Sequence, residues 1–336
     1  MNKRTRRTRI FEFLVNVGRA FSLGVLFVGF FLSEKAVSQT NPSKKFGEKF
    51  WTFIWEPLDA TQADLSKRIF GVSQTVDSFF GDDRIENEVN SSVVRLNYLT
   101  TVVESEPIRN DFRIKTKLAL PRTQRRLNLV LESVRDLGRE EVDRVNDVLN
   151  GEGGEVSAAL RYIVFDSQKW NFHTDGGIKA RIPLDPFGKF RLRYRTPIGD
   201  WEHRITETVL WFDSSGWEAE TEVTFDREIN ENWFFRFINT THWKDEESTT
   251  KIDHSINWFQ KIDEDKGFSY HIGAGGNNRP NIHVESYYVS IGYRKRIHKD
   301  WMFFNVSTGF QFPRAREWEA TPFIIFNLEA LFGSTS

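Results

Sequence analysis

From residue 91 onward, large apolar side chains occupy every second position over runs of roughly ten to thirteen residues. Phe112, Ile114, Leu118 and Leu120 alternate with Arg113, Lys115, Lys117 and Ala119; Phe190, Leu192 and Tyr194 alternate with Arg191, Arg193 and Arg195; Trp217, Ala219, Val223 and Phe225 alternate with Glu218, Glu220 and Thr224. A period of two is the strand period, so each run presents one greasy face and one charged face. Strands in globular proteins are usually about five or six residues long, whereas runs of about ten, tilted by about 45°, match the span of a bilayer.

The runs recur in pairs. A polar turn steps directly onto an aromatic ring at Trp170, Trp201, Trp233, Phe268 and Trp301, at intervals of 31, 32, 35 and 33 residues. Each interval holds two alternating runs, so the repeating unit is a hairpin. Fourteen segments can be placed this way, at 91–104, 110–121, 126–134, 155–166, 169–183, 188–197, 201–212, 216–226, 231–243, 249–261, 266–275, 281–297, 300–312 and 318–332. The expected fold is all-β: a transmembrane antiparallel up-and-down β-barrel of about 14 strands, within a range of 12 to 16.

A soluble sandwich would also hide one apolar face per strand. Two strands argue against it. Trp201 and Trp211 are ten residues apart on one face, and so are Trp233 and Trp243. Ten steps of about 3.3 Å, reduced by a 45° tilt, give a height of about 24 Å, close to the apolar band of about 25 Å that aromatic girdles bracket in outer-membrane barrels. These four tryptophans are therefore expected at the membrane interfaces. Two positions fit badly: the parity that turns Trp201 outward also turns His203 and Glu207 toward lipid, which calls for a bulge or for an interfacial position of Glu207.

Residues 1–9 are strongly basic, Ala20 to Leu32 is apolar except for Ser22, and Ala36-Val37-Ser38 offers a small-residue cleavage site, so 1–38 reads as a signal peptide. With it leave seven basic and two acidic residues, so 39 Lys/Arg stand against 45 Asp/Glu, a formal charge of −6. Such a balance leaves no footprint for nucleic acid. Residues 39–90 form a separate region. Leu65, Ile69, Val72, Val76 and Phe79 recur at helical spacing, which predicts a short helical periplasmic arm able to fold into the mouth of a barrel spanning 91–333.

With these features in hand the chain resembles an uncharacterised group of proteobacterial outer-membrane β-barrel proteins, through Asp77-Ser78-Phe79-Phe80-Gly81-Asp82, Asp185-Pro186-Phe187, Gly199-Asp200-Trp201, Asp300-Trp301 and Leu328-Glu329-Ala330-Leu331-Phe332-Gly333. The resemblance implies the outer membrane of a Gram-negative bacterium, and attaches no activity. The partners expected there are outer-membrane lipid, the barrel-assembly machinery, small anionic solutes and further copies of the chain.

If the greasy faces meet lipid, the lumen carries a basic ladder of Arg113, Lys115, Lys117, Lys179, Arg181, Arg191, Arg193 and Arg195, joined by Arg95 and Arg161, and an acidic ladder of Glu218, Glu220 and Glu222. Cations on one arc of a wet passage would favour anions. Alternatively the same side chains pack as ion pairs that close the interior, since fourteen strands lie between barrels of about eight, which are filled, and barrels of about sixteen, which leave a channel. The sequence thus supports a passive channel for small anions or a closed structural and interaction barrel. Apart from the predicted outside loop 135–154 the connections are a few residues each, so no long inward-folded loop is expected.

Catalytic readings fare worse. A lipase-like strand needs Ser and His two residues apart on one face, and His254 and Ser255 are adjacent. The seven histidines lack metal spacing, and the absence of cysteine excludes thiolate ligands and nucleophiles. Neither a cofactor nor a metal is expected. Asp263-Glu264-Asp265-Lys266-Gly267 reads as a hairpin turn and not as a calcium loop.

Overall fold

The structure is a computed structural model that describes residues 79–80, 91–120, 126–133, 149, 156–298 and 301–335. The expected signal peptide, and all of the expected arm except Phe79 and Phe80, lie outside these residues. Fourteen strands follow one another: β1 Ser91–Val103, β2 Arg109–Ala119, β3 Leu127–Ser133, β4 Val156–Asp166, β5 Trp170–Lys179, β6 Asp185–Ile198, β7 Trp201–Phe212, β8 Gly216–Asn230, β9 Trp233–Lys244, β10 Thr249–Lys261, β11 Lys266–Asn277, β12 His283–His298, β13 Met302–Pro313 and β14 Thr321–Thr335. Each pairs antiparallel with its neighbours in sequence, and β1 pairs with β14 over its whole length, from Ser91↔Thr335 to Val103↔Phe323. The barrel is closed, so no strand edge is left to recruit another chain.

Strand boundaries follow backbone chemistry. The run predicted at 169–183 ends at Lys179, and Pro183, which could not donate to a ladder, falls in the connection that follows. The segment predicted from 318 starts at Thr321 instead: Glu317 and Trp318 have φ of 54° and 63° and complete a turn after the short 3-10 helix Arg314–Arg316. At one end of the barrel the connections are tight. Gly199, with φ of 61°, begins the two-residue turn into Trp201, a conformation that a side chain disfavours. Asn230 Oδ1 accepts from the backbone N–H groups of Asn232 and Trp233 at 2.9 and 3.0 Å, an Asx turn that delivers Trp233 to its strand. The Asp263–Asp265 stretch is a turn as well. The Lys266 ammonium hydrogen-bonds the Asp263 carboxylate, which also accepts from the Asp265 and Lys266 N–H groups, and these bonds hold its pKa below the ordinary value.

The period-two pattern becomes two surfaces. Outward stand Leu160, Tyr162, Phe190, Ile272, Tyr287, Val289, Ile291 and Phe310, all exposed although apolar. Inward stand charged and small polar side chains that are nonetheless buried, among them Lys189, Arg204 and Thr208 at 1 to 2% exposure. A water-soluble fold has the opposite arrangement.

Candidate functional site

The inner wall divides into two sectors. Over β2 to β9 it is packed with ion pairs. Asp175 on β5 accepts from Arg161 on β4 at 2.9 Å and from Lys189 on β6 at 3.0 Å, and Lys189 also reaches Glu132 on β3 at 3.0 Å. Further round, Asp226 on β8 is shared by Arg204 at 3.0 Å and Arg236 at 2.9 Å. Where β14 meets β1, Glu329 is shared by Arg95 at 3.6 Å and by Arg294. In each of the last two groups one carboxylate lies within reach of two guanidinium groups.

Over β10 to β13 the middle of the inner wall is rich in small residues, although His271, Tyr288 and Arg294 stand among them. Ser255, Ser269, Gly273, Gly275, Ser286, Ser290, Gly292, Ser307 and Gly309 share the inward parity of Asn257, Tyr288 and Phe303. At the end with longer connections this lane widens into a vestibule of about 680 Å³ lined by Lys251, Asp253, Glu285, Gln311 and Arg314. Just within it the Tyr288 ring lies on Gly273, where any Cβ would overlap the ring. Leu149, from the connection between β3 and β4, packs there with Leu99, Val103, Tyr288, Phe323 and Ile325, and its carbonyl accepts from Arg109 at 2.6 Å. Residues 135–154 were expected as an outside loop; their one described residue, Leu149, instead finds an apolar collar inside the barrel.

At the tight-turn end the lane meets Phe79 and Phe80. Phe80 packs at 5.0 Å on Phe259 with the rings tilted by 51°; Phe259 itself stands 5.9 Å from Phe234, and Phe79 contacts Phe303 at 6.2 Å with the Arg294 guanidinium 5.9 Å from its ring. Gly267 makes the room, since a Cβ there would fall 2.6 Å from Phe80 Cζ and 3.1 Å from Phe79 Cε1. Phe79 is 6% exposed. Two residues of the predicted arm thus occupy the mouth.

Of the predicted basic ladder, Arg113, Lys117, Lys179, Arg191 and Arg193 are buried on inward positions, and Lys115 is half-buried there. Arg181 is not on the wall. It lies beyond the end of β5 in the connection to β6 and pairs with Asp185 at 3.2 Å. Arg195 sits at the tight-turn rim, donating to the Gln168 carbonyl at 3.2 Å. Glu220 and Glu222 are buried inward, while Glu218 approaches the other mouth and bonds His242 at 3.1 Å. Trp201 and Trp233 stand outward at one end of their strands, with Trp211 and Trp243 outward at the other. The reading of separate basic and acidic arcs missed the interleaved acids Glu132, Asp175, Asp185, Asp226 and Glu329. Their signal was available, because each shares the parity of the cations on its own or the neighbouring strand. Among the described residues no group of His, Asp and Glu is arranged to hold a metal ion.

No family model and no curated protein matches the chain in sequence. Solved structures align with it in general backbone architecture only. Outer-membrane expressed OmpT of Vibrio cholerae aligns with a TM-score of 0.43 at 7% identity, over 72% of this chain and 97% of that one. The CymD monoaromatic hydrocarbon channel gives 0.41 at 8% identity over 81% and 97%, and KdgM porin gives 0.35 at 5% over 70% and 98%. These structural neighbours are outer-membrane β-barrels. At such scores the likeness is one of general architecture, and nothing about cargo passes from them to this chain.

Proposed function

We propose that the protein is an outer-membrane channel for small anions, with its short turns, Phe79 and Phe80 on the periplasmic side. The outward apolar face framed by Trp201, Trp233, Trp211 and Trp243 supports the membrane placement. The observation that carries the channel reading is the lane of small residues running from the 680 Å³ vestibule toward the aromatic pair. Solutes follow β10 to β13, because the opposite wall is filled. Anions are favoured by the basic side chains set on the inner wall, Arg113, Lys117, Arg191 and Arg193 among them. Phe79 and Phe80 close one mouth and Leu149, packed on Tyr288, narrows the other, so passage requires both to move aside.

The test is conductance in planar bilayers. Wild-type protein is expected to give rare, small openings, the Phe79→Ala/Phe80→Ala variant to give larger and more frequent ones, and both to show anion-preferring reversal potentials in a salt gradient. A stably inserted variant that combines Phe79→Ala and Phe80→Ala with Leu149→Ala and stays silent sinks the channel reading. It would leave the second reading, a closed structural or interaction barrel, which the burial of the β2 to β9 ion pairs favours.

A further inference from the structure

β7 pairs with β6 and β8 without a register shift, so neither escape from the misfit of Glu207 is realised. Glu207 points outward six residues from Trp201 and five from Phe212, in the middle of its strand. His254 stands at the corresponding level of β10, five residues from Thr249 and seven from Lys261. Among the described strands these two are the acidic and basic side chains set outward at mid-strand; the others, such as Arg227 and Lys295, lie near strand ends. Thr221 on β8 and Asn239 and Thr241 on β9 complete a polar stripe across four adjacent strands. Thr221 Oγ1 donates to Glu207 Oε2 at 2.6 Å, and the Asn239 amide donates to His254 Nδ1 at 2.7 Å, which puts the ring proton on Nε2. Directly beside the stripe, on the same face, a cavity of about 410 Å³ opens outward between Ile198, Trp201, His203, Phe225, Phe235 and Phe237. Elsewhere the same level carries Leu160, Phe190, Val289 and Ile291.

Acyl chains offer nothing to a carboxylate or an imidazole N–H, so a stripe of this kind is covered by protein. We propose that the β7 to β10 face is a homodimer interface, two-fold about the membrane normal, in which Glu207 of each protomer accepts from His254 Nε2 of the other. The charge pattern selects a second copy of this chain. Acid and imidazole lie at a similar height on the tilted strands, about 16 Å apart: three interstrand spacings across, and two residues along the strand from Ile252, which stands directly opposite Glu207. A two-fold axis between β8 and β9 brings the acid edge of one patch against the imidazole edge of its copy. That is the self-complementarity an isologous contact requires, which a head-to-tail trimer does not. The proposal rests on the membrane placement above and is independent of conduction.

The chain has no cysteine, so single cysteines report contacts cleanly. In isolated outer membranes Thr221→Cys, beside the proposed axis, is expected to form a disulfide dimer on mild oxidation. Ile291→Cys on the opposite face is expected not to. In native mass measurements of full-length protein, Glu207→His and His254→Glu should each lower the dimer fraction at least several-fold, and the double swap should restore it. Each variant must first show the heat-modifiable gel mobility of a folded barrel; if one single variant fails to fold, the other together with the cysteine pair decides. Protein present in outer membranes but monomeric there, or a Thr221→Cys adduct to a different polypeptide, overturns the proposal. Protein absent from that fraction overturns the membrane placement as well.

Discussion

Asp175 shows what an inward charge does in this barrel. Its carboxylate is within 3.0 Å of both Arg161 and Lys189 and is shut away from solvent. A buried ion pair adds little net stability, since desolvation offsets attraction, but breaking one from one side is costly. Asp175→Asn should therefore destabilise the folded barrel by about 3 to 5 kcal/mol, read from its denaturant unfolding midpoint. Lys189→Met should cost less, because Asp175 then keeps Arg161. A shift for Asp175→Asn within that of a neutral surface change would contradict the packed-pair description. Parity in the sequence was enough to turn these side chains inward. It did not say which acid meets which cation, because that depends on side-chain reach across two or three strands.

Among the elements, β11 and β12 show how a wall of small residues is built. Tyr288 lies over Gly273, and Gly273→Val would drive the ring off its seat and disturb the cluster that holds Leu149. We expect a loss of about 1 to 3 kcal/mol in the same unfolding measurement, the usual cost of overpacking. Gly267→Leu acts at the other end. It should displace Phe79 and Phe80 and raise conductance much as the double alanine variant does; an unchanged, silent barrel would count against the aromatic stop. Strands and turns were largely legible, since alternation and Gly199-Asp200 or Asn230-Glu231-Asn232 are local signals. Phe79 was visible only as one apolar position of a helical pattern. Its lodging against Phe303, more than two hundred residues away in the chain, is not a local property.

For the whole molecule, closure is the governing fact. β1 and β14 pair along their full length, so removing residues 321–335 would leave two long open edges. Such a chain should fail to give heat-modifiable gel mobility or membrane insertion. The field inside the barrel is likewise a property of the assembled wall. Lys251 lines the vestibule, and Lys251→Glu should move the reversal potential toward cation preference while leaving the fold intact. No movement would place the ion path elsewhere.

Alternation and turn residues were enough to read the hairpin repeat, about fourteen strands and the facing of most strand residues, Trp201, Trp211, Trp233 and Trp243 included. All of these follow from a two-residue period and from turn residues acting on their neighbours. Tertiary structure decided what the interior is. Whether inward charges line water or neutralise one another, whether Phe79-Phe80 and Leu149 fill the two mouths, and that Glu207 shares one outer face with His254 all depend on barrel closure bringing distant strands together. A one-dimensional pattern carries facing but not the radial distances that set packing.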